Sequence, residues 1–158
     1  MRFREIVILL GAVVLMSFVA CSPIDTKTMQ TVLDKVSHTQ EAELPTLLYG
    51  YSKSSPAAQK VLLAMLQPLR APSKDQNMSV EAVQRSGRFT MIVARVPWRR
   101  GSQPGGLQPI IICGETGHEQ VVGYVLPFDD IANDFAGADM GSIMELSHWW
   151  IQNYARRN

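Results

Sequence analysis

Two cysteines, Cys21 and Cys113, and three histidines are the side chains of this 158-residue chain best suited to covalent or metal chemistry. Cys113 closes the apolar run Ile110-Ile111-Ile112, a setting that reads as a small, inert core residue. Cys113, Glu115 and His118 could meet at a strand end, but a zinc site would need a fourth group. Asp129, Asp130, Asp134 and Asp139 lack the alternating oxygen ligands and central glycine of a calcium loop. Helix capping accounts for Asp129 and Asp139. His118 lies in the turn Gly117-His118-Glu119 and His148 beside Trp149. Nucleophilic catalysis requires a nucleophile, a base and an orienting group held together, and no spacing here spells out such a set. No catalytic residue, metal or cofactor is therefore expected.

Binding chemistry is better represented. Pro97-Trp98-Arg99-Arg100-Gly101-Ser102-Gln103-Pro104-Gly105-Gly106 joins two strand candidates and carries a large aromatic and two guanidiniums. Tryptophan and arginine are enriched among the anchors of protein interfaces, and both suit a lipid headgroup layer. Trp98, Arg99 and Arg100 are thus the candidate partner-binding residues. The alternative is a solvated loop whose Trp98 folds back on the sheet. Charge is also segregated: five arginines and no acid between Arg85 and Arg100, seven acids and no Lys or Arg between Glu115 and Glu145. Two segments of opposite sign either pair with each other or form a dipolar surface that orients the domain on a partner.

The chain opens with two arginines, Arg2 and Arg4, followed by an uncharged stretch from Ile6 to Ala20. Such a run reaches roughly 22 Å as a helix, short of a hydrocarbon core of about 30 Å. A basic head, an apolar run and small residues at its end are the order of an export signal. Phe18-Val19-Ala20-Cys21 then resembles the lipobox of bacterial lipoproteins, with Phe18 standing where leucine is usual. The resemblance covers only this first stretch. It implies cleavage before Cys21, a thioether-linked diacylglycerol and an amide-linked acyl chain on that residue, and stable anchoring through several chains. Ser22 in place of aspartate leans towards the outer membrane of a Gram-negative envelope.

Removing residues 1–20 takes Arg2, Arg4 and Glu5 and leaves thirteen basic against thirteen acidic residues. A neutral domain has no global attraction for nucleic acid or anionic lipid. With Cys21 acylated, Cys113 has no disulfide partner, so packing must supply the stability. Residues 21–25 form a short tether and residues 26–158 a single domain. Only four residues separate the acylated cysteine from the first helix, a span of at most roughly 14 Å. The domain is expected to sit against the membrane.

The elements that position these residues read as follows. Met29, Val32, Leu33 and Val36 mark one face of a helix from about Thr26 to Ser37, capped by Asp25 or Thr26. Pro45 to Gly50 suggests a helical turn. Ser55 caps a second helix with Pro56 at its first position and an apolar stripe from Ala58 to Leu69, closed by Pro68 and Pro72. Phe89 to Val96, Leu107 to Cys113 and Gln120 to Leu126 read as strands, with a hairpin turn over Gly114 to Gly117. Val80 to Arg85 is either a strand or a short helix capped by Ser79, and the strand is favoured. Phe128 to Asp130 starts a short helix, and Asp139 caps a longer one to about Ala155. Met140, Ile143, Met144, Trp150, Ile151 and Tyr154 lie near one face of it, widened by Leu146 and Trp149.

The expected fold is α+β: N-terminal helices and a long C-terminal helix packed on one face of an antiparallel sheet of three to four strands. The order loosely resembles the cystatin and NTF2-like group of small envelope domains, although the long terminal helix is not typical of it. The expected function is that of a non-catalytic, membrane-anchored envelope lipoprotein that binds a protein partner in an accessory or immunity-type role, facing the periplasm from the outer membrane. A small-ligand module, with Trp149, Trp150 and Tyr124 lining a pocket, is the alternative; an enzyme ranks below both.

Overall fold

The structure, a computed structural model, describes residues 25–98, 105–115, 117–122 and 138–155. Helix α1 spans Thr26–His38. Asp25 caps it: its carboxylate accepts from the Lys27 N–H at 3.0 Å and from the Thr28 hydroxyl at 2.7 Å. These bonds hold the Asp25 carboxyl below the usual range, Thr28 contributing most. Met29, Val32, Leu33 and Val36 are buried, as their spacing requires.

A 3₁₀ helix over Glu41–Leu47 follows, with Pro45 inside it rather than at its start. Helix α2, Pro56–Leu66, is capped by the Ser55 hydroxyl, which accepts from the Ala58 N–H at 3.3 Å. It ends three residues earlier than the apolar stripe suggests. Pro68 has no N–H to continue the ladder, so Gln67–Leu69 tightens into a 3₁₀ turn. Arg70 locks this end to α1, donating to the carbonyls of Val36 (2.8 Å) and Thr39.

Four strands follow, β1 (Ser79–Ser86), β2 (Phe89–Val96), β3 (Gly106–Cys113) and β4 (Gln120–Val122). They form one sheet in sequence order, each pair antiparallel. Leu48 adds a parallel bridge to Val121 on the far edge. The segment from Val80 to Arg85 is a strand with a β-bulge between Val80 and Ala82. The expected continuation of β4 to Leu126 lies outside the described residues, as do Phe128 to Asp130.

Helix α3 spans Ala138–Asn153. Asp139 lies in its first turn instead of capping it. The expectation that all helices share one face of the sheet is corrected by the packing. Thr90 faces the same side as Ile92, Ala94 and Val96, and the last three join α1 and α2 in one core. Phe89, Met91, Ile111, Cys113 and Val122 meet Ile143 and Leu146 of α3 in a second core on the opposite face. β2 is buried at seven of its eight positions. A strand so uniformly apolar cannot leave one face in water, so it needs cover on both. The face of α3 is also narrower than expected: Ile143 and Leu146 are buried, whereas Met140, Met144 and Ile151 are exposed.

Candidate functional site

The loop after β2 was the strongest sequence candidate, and the structure describes its two ends. Trp98 is only 4% exposed and belongs to the core formed with α1 and α2. Its indole N–H donates to the Pro68 carbonyl at 3.1 Å, the carbonyl freed where α2 breaks. The returning leg passes so close that a Cβ on Gly105 would lie 2.5 Å from the Val96 carbonyl oxygen and 2.6 Å from that of Trp98. The loop is therefore pinched at its base, with Trp98 as the peg that fixes it to the domain. Trp98 offers no ring to a partner in this arrangement. Arg99 and Arg100 lie outside the described residues.

The charged segments meet in part. Arg88, in the β1–β2 turn, pairs with Asp139 through two hydrogen bonds of 3.2 and 2.7 Å. That carboxylate holds the Arg88 guanidinium more firmly protonated than usual. The same guanidinium lies 5.7 Å from the Tyr49 ring centroid and 5.2 Å from that of Phe89. Beside it the Ser86 hydroxyl donates to Glu145 at 2.6 Å. Together these bonds latch the β1–β2 turn to the first half of α3. Arg95 turns elsewhere, to Glu81 across the β1–β2 pair at 2.9 Å. Asp129, Asp130 and Asp134 lie outside the described residues.

Cys113 is buried in the second core, and burial pushes its thiol up to about 11, with Arg88 offsetting part of that rise. A thiol so placed is protonated at neutral pH and is a poor nucleophile. Glu115 and His118 sit at the same strand end, and the His118 N–H donates to the Glu115 carbonyl at 2.9 Å. Among the described residues no three His, Cys, Asp or Glu side chains converge as metal ligands. His148 is exposed on α3 and bonds Gln152 at 2.5 Å. Cys21 lies outside the described residues.

Two hollows bear on ligand binding. The gap between α2 and the sheet, lined by Leu66, Ile110 and Val121 among others, holds about 20 Å³, little more than one water requires. Trp149 and Trp150, named above as pocket walls, pack instead against the second core. Trp150 stacks on Tyr154 with ring centroids 5.8 Å apart. Tyr124 lies outside the described residues. An open cleft of about 410 Å³ lies elsewhere, between the 3₁₀ helix Glu41–Leu47, a further 3₁₀ turn at Tyr51–Lys53 and the start of β4. Pro45, Tyr49, Tyr51, Lys53 and Gln120 line it. Gln120 bridges its walls by donating to the Thr46 carbonyl at 3.1 Å. Nothing in the sequence marked this cleft, because its walls come from residues some seventy positions apart.

No protein-family model matches the chain, and no curated protein or solved structure matches it.

Proposed function

We propose that the chain is an envelope lipoprotein, cleaved before Cys21, acylated there, and held on the periplasmic face of the outer membrane, where it binds a protein partner without catalysing a reaction. The observation that carries the reading is the sequence Phe18-Val19-Ala20-Cys21 placed four residues before a capped helix. A tether of at most roughly 14 Å keeps the domain at the headgroup layer. No helix among the described residues is long and apolar enough to cross a membrane. An acyl anchor of several chains would supply the membrane affinity.

Within this reading the loop over residues 97–105 is the partner-facing element, with Arg99 and Arg100 as its contacts and Trp98 as the residue that positions it. Mass analysis of the mature amino-terminal peptide tests the first half: a diacylglyceryl-modified Cys21 is expected, and an unmodified or uncleaved chain would overturn it. Affinity capture from membranes tests the second half. Arg99→Ala with Arg100→Ala should lose the captured partner while the unfolding transition stays unchanged; undiminished capture would remove the loop from the site.

A second reading, a small-ligand module, draws on the cleft lined by Tyr49, Tyr51, Lys53 and Gln120. Its volume falls within the usual range for ligand pockets of about 300–1,000 Å³.

A further inference from the structure

A smaller hollow of about 40 Å³ lies at the end of the sheet where α1 begins. Met29, Arg85, Arg88, Thr90, Ile112 and Glu119 contribute to its wall. Arg85, Thr90 and Ile112 are register partners across β1, β2 and β3 and stand in one row on the α1 side of the sheet. Arg88 is committed to Asp139. Arg85 is exposed and makes no ion pair or hydrogen bond among the described residues. Thr90 is 5% exposed, and its hydroxyl likewise has no partner among them. No buried side-chain nitrogen or oxygen among the described residues lacks a partner, so the Thr90 hydroxyl reaches the open space of the hollow, where it can donate to a ligand. The hollow exceeds the roughly 10–15 Å³ that a single water occupies.

We propose that this hollow binds a phosphate oxyanion, held between the Arg85 guanidinium and the Thr90 hydroxyl. A guanidinium matches phosphate geometry with two parallel donors, and a hydroxyl opening on the same hollow adds a third. Glu119 stands on the same rim, its carboxylate accepting from the Gly117 N–H at 2.9 Å. A bare phosphate dianion meets repulsion there, whereas a ligand carrying an ammonium beside its phosphate pairs with both signs. The chemistry selected is that of a zwitterionic phosphoethanolamine group, either free or as a lipid headgroup. The position favours the lipid. Met29 is one helical turn from the start of α1, so the hollow lies within roughly 20 Å of chain from Cys21. The lipid source rests on the anchoring proposed above; the oxyanion site does not.

Thermal unfolding of the full chain in detergent, at matched ionic strength, tests the site with sodium chloride, inorganic phosphate or phosphoethanolamine added. The midpoint should rise with phosphate and rise further with phosphoethanolamine. Arg85→Ala should abolish both shifts and Thr90→Val should reduce them. Glu119→Gln should reverse the preference, raising the response to phosphate and lowering that to phosphoethanolamine. No shift with either compound, or a full shift in Arg85→Ala, would overturn the proposal. A vesicle arm separates the sources. The chain reconstituted in phosphatidylethanolamine should unfold at a higher temperature than in a phosphate-free glycolipid, and Arg85→Ala should erase the difference. Equal midpoints in the two lipids, with the soluble response intact, would support the oxyanion site and overturn the lipid source. The mass of the Cys21 peptide in the same preparation reports on the anchor independently.

Discussion

Trp98 shows how one side chain can serve a loop from beneath. Its ring fills the core and its N–H occupies the carbonyl that Pro68 leaves free at the end of α2. Trp98→Ala should therefore cost about 3–5 kcal/mol by urea denaturation, the range for a deleted core aromatic. Trp98→Phe, which keeps the ring packing and loses the bond, should cost nearer 1 kcal/mol. Equal costs for the two would show that the ring is not packed. Cys113 makes a prediction at the same scale. The folded state holds its thiol protonated up to about 11, above the ordinary value of 9.0, so the unfolded chain loses the proton first. Its contribution to stability is complete below about pH 9 and is lost as pH rises towards 11. Wild type should lose more stability over that window than Cys113→Ala does. A disulfide reagent at pH 8 should label Cys113 only in unfolded protein.

At the scale of elements, local bonds set where helices begin and how turns dock. Ser55 caps α2 through the Ala58 N–H, so Ser55→Ala should cost about 1 kcal/mol while Ser55→Asp is nearly neutral. The β1–β2 turn depends on Gly87, whose φ is +54° and whose missing Cβ leaves room for the Ser142 hydroxyl. Gly87→Ala places a Cβ 2.6 Å from that oxygen and adds about 1–2 kcal/mol of left-handed backbone cost. Combining it with Ser142→Ala should recover the steric part and leave the backbone part, which a double-mutant cycle reads directly. The Arg88–Asp139 pair is half exposed, at 45% and 27% of side-chain area, so its coupling should fall at about 0.2–1 kcal/mol and weaken with salt. A coupling independent of salt would show that the latch is held by the Tyr49 and Phe89 rings instead.

Across the whole molecule the sheet is a middle layer. The core with α1 and α2 and the core with α3 share β2 and β3 but use opposite faces of them. Removing α3 would bare Phe89, Met91 and Ile111, none of which has another cover among the described helices. A chain stopped before Ala138 should not give a cooperative unfolding transition and should expose apolar surface to a hydrophobic dye. A truncated chain with a sharp transition and no dye binding would show that the α1–α2 core stands alone.

The sequence by itself determined the α1 face, the Ser55 cap, the antiparallel order of the strands and the α+β class, and narrowed the α1 cap to Asp25 or Thr26, because these follow from short-range periodicity and hydrogen bonding. It left Val80 to Arg85 ambiguous for a physical reason. The bulge after Val80 turns Val80 and Val83 to the same side, where both pack on the first core, so a strand takes on helix-like spacing. The loose alternation of β2 and the nearly continuous apolar run of β3 left the helices expected on one face of the sheet, whereas the packing puts α3 on the other. Only tertiary structure decided that Trp98 turns inward and that Arg88 meets Asp139. It alone set Arg85, Thr90 and Glu119 around one hollow. Such encounters depend on strand register and on the path of distant segments, which no local pattern of residue types encodes.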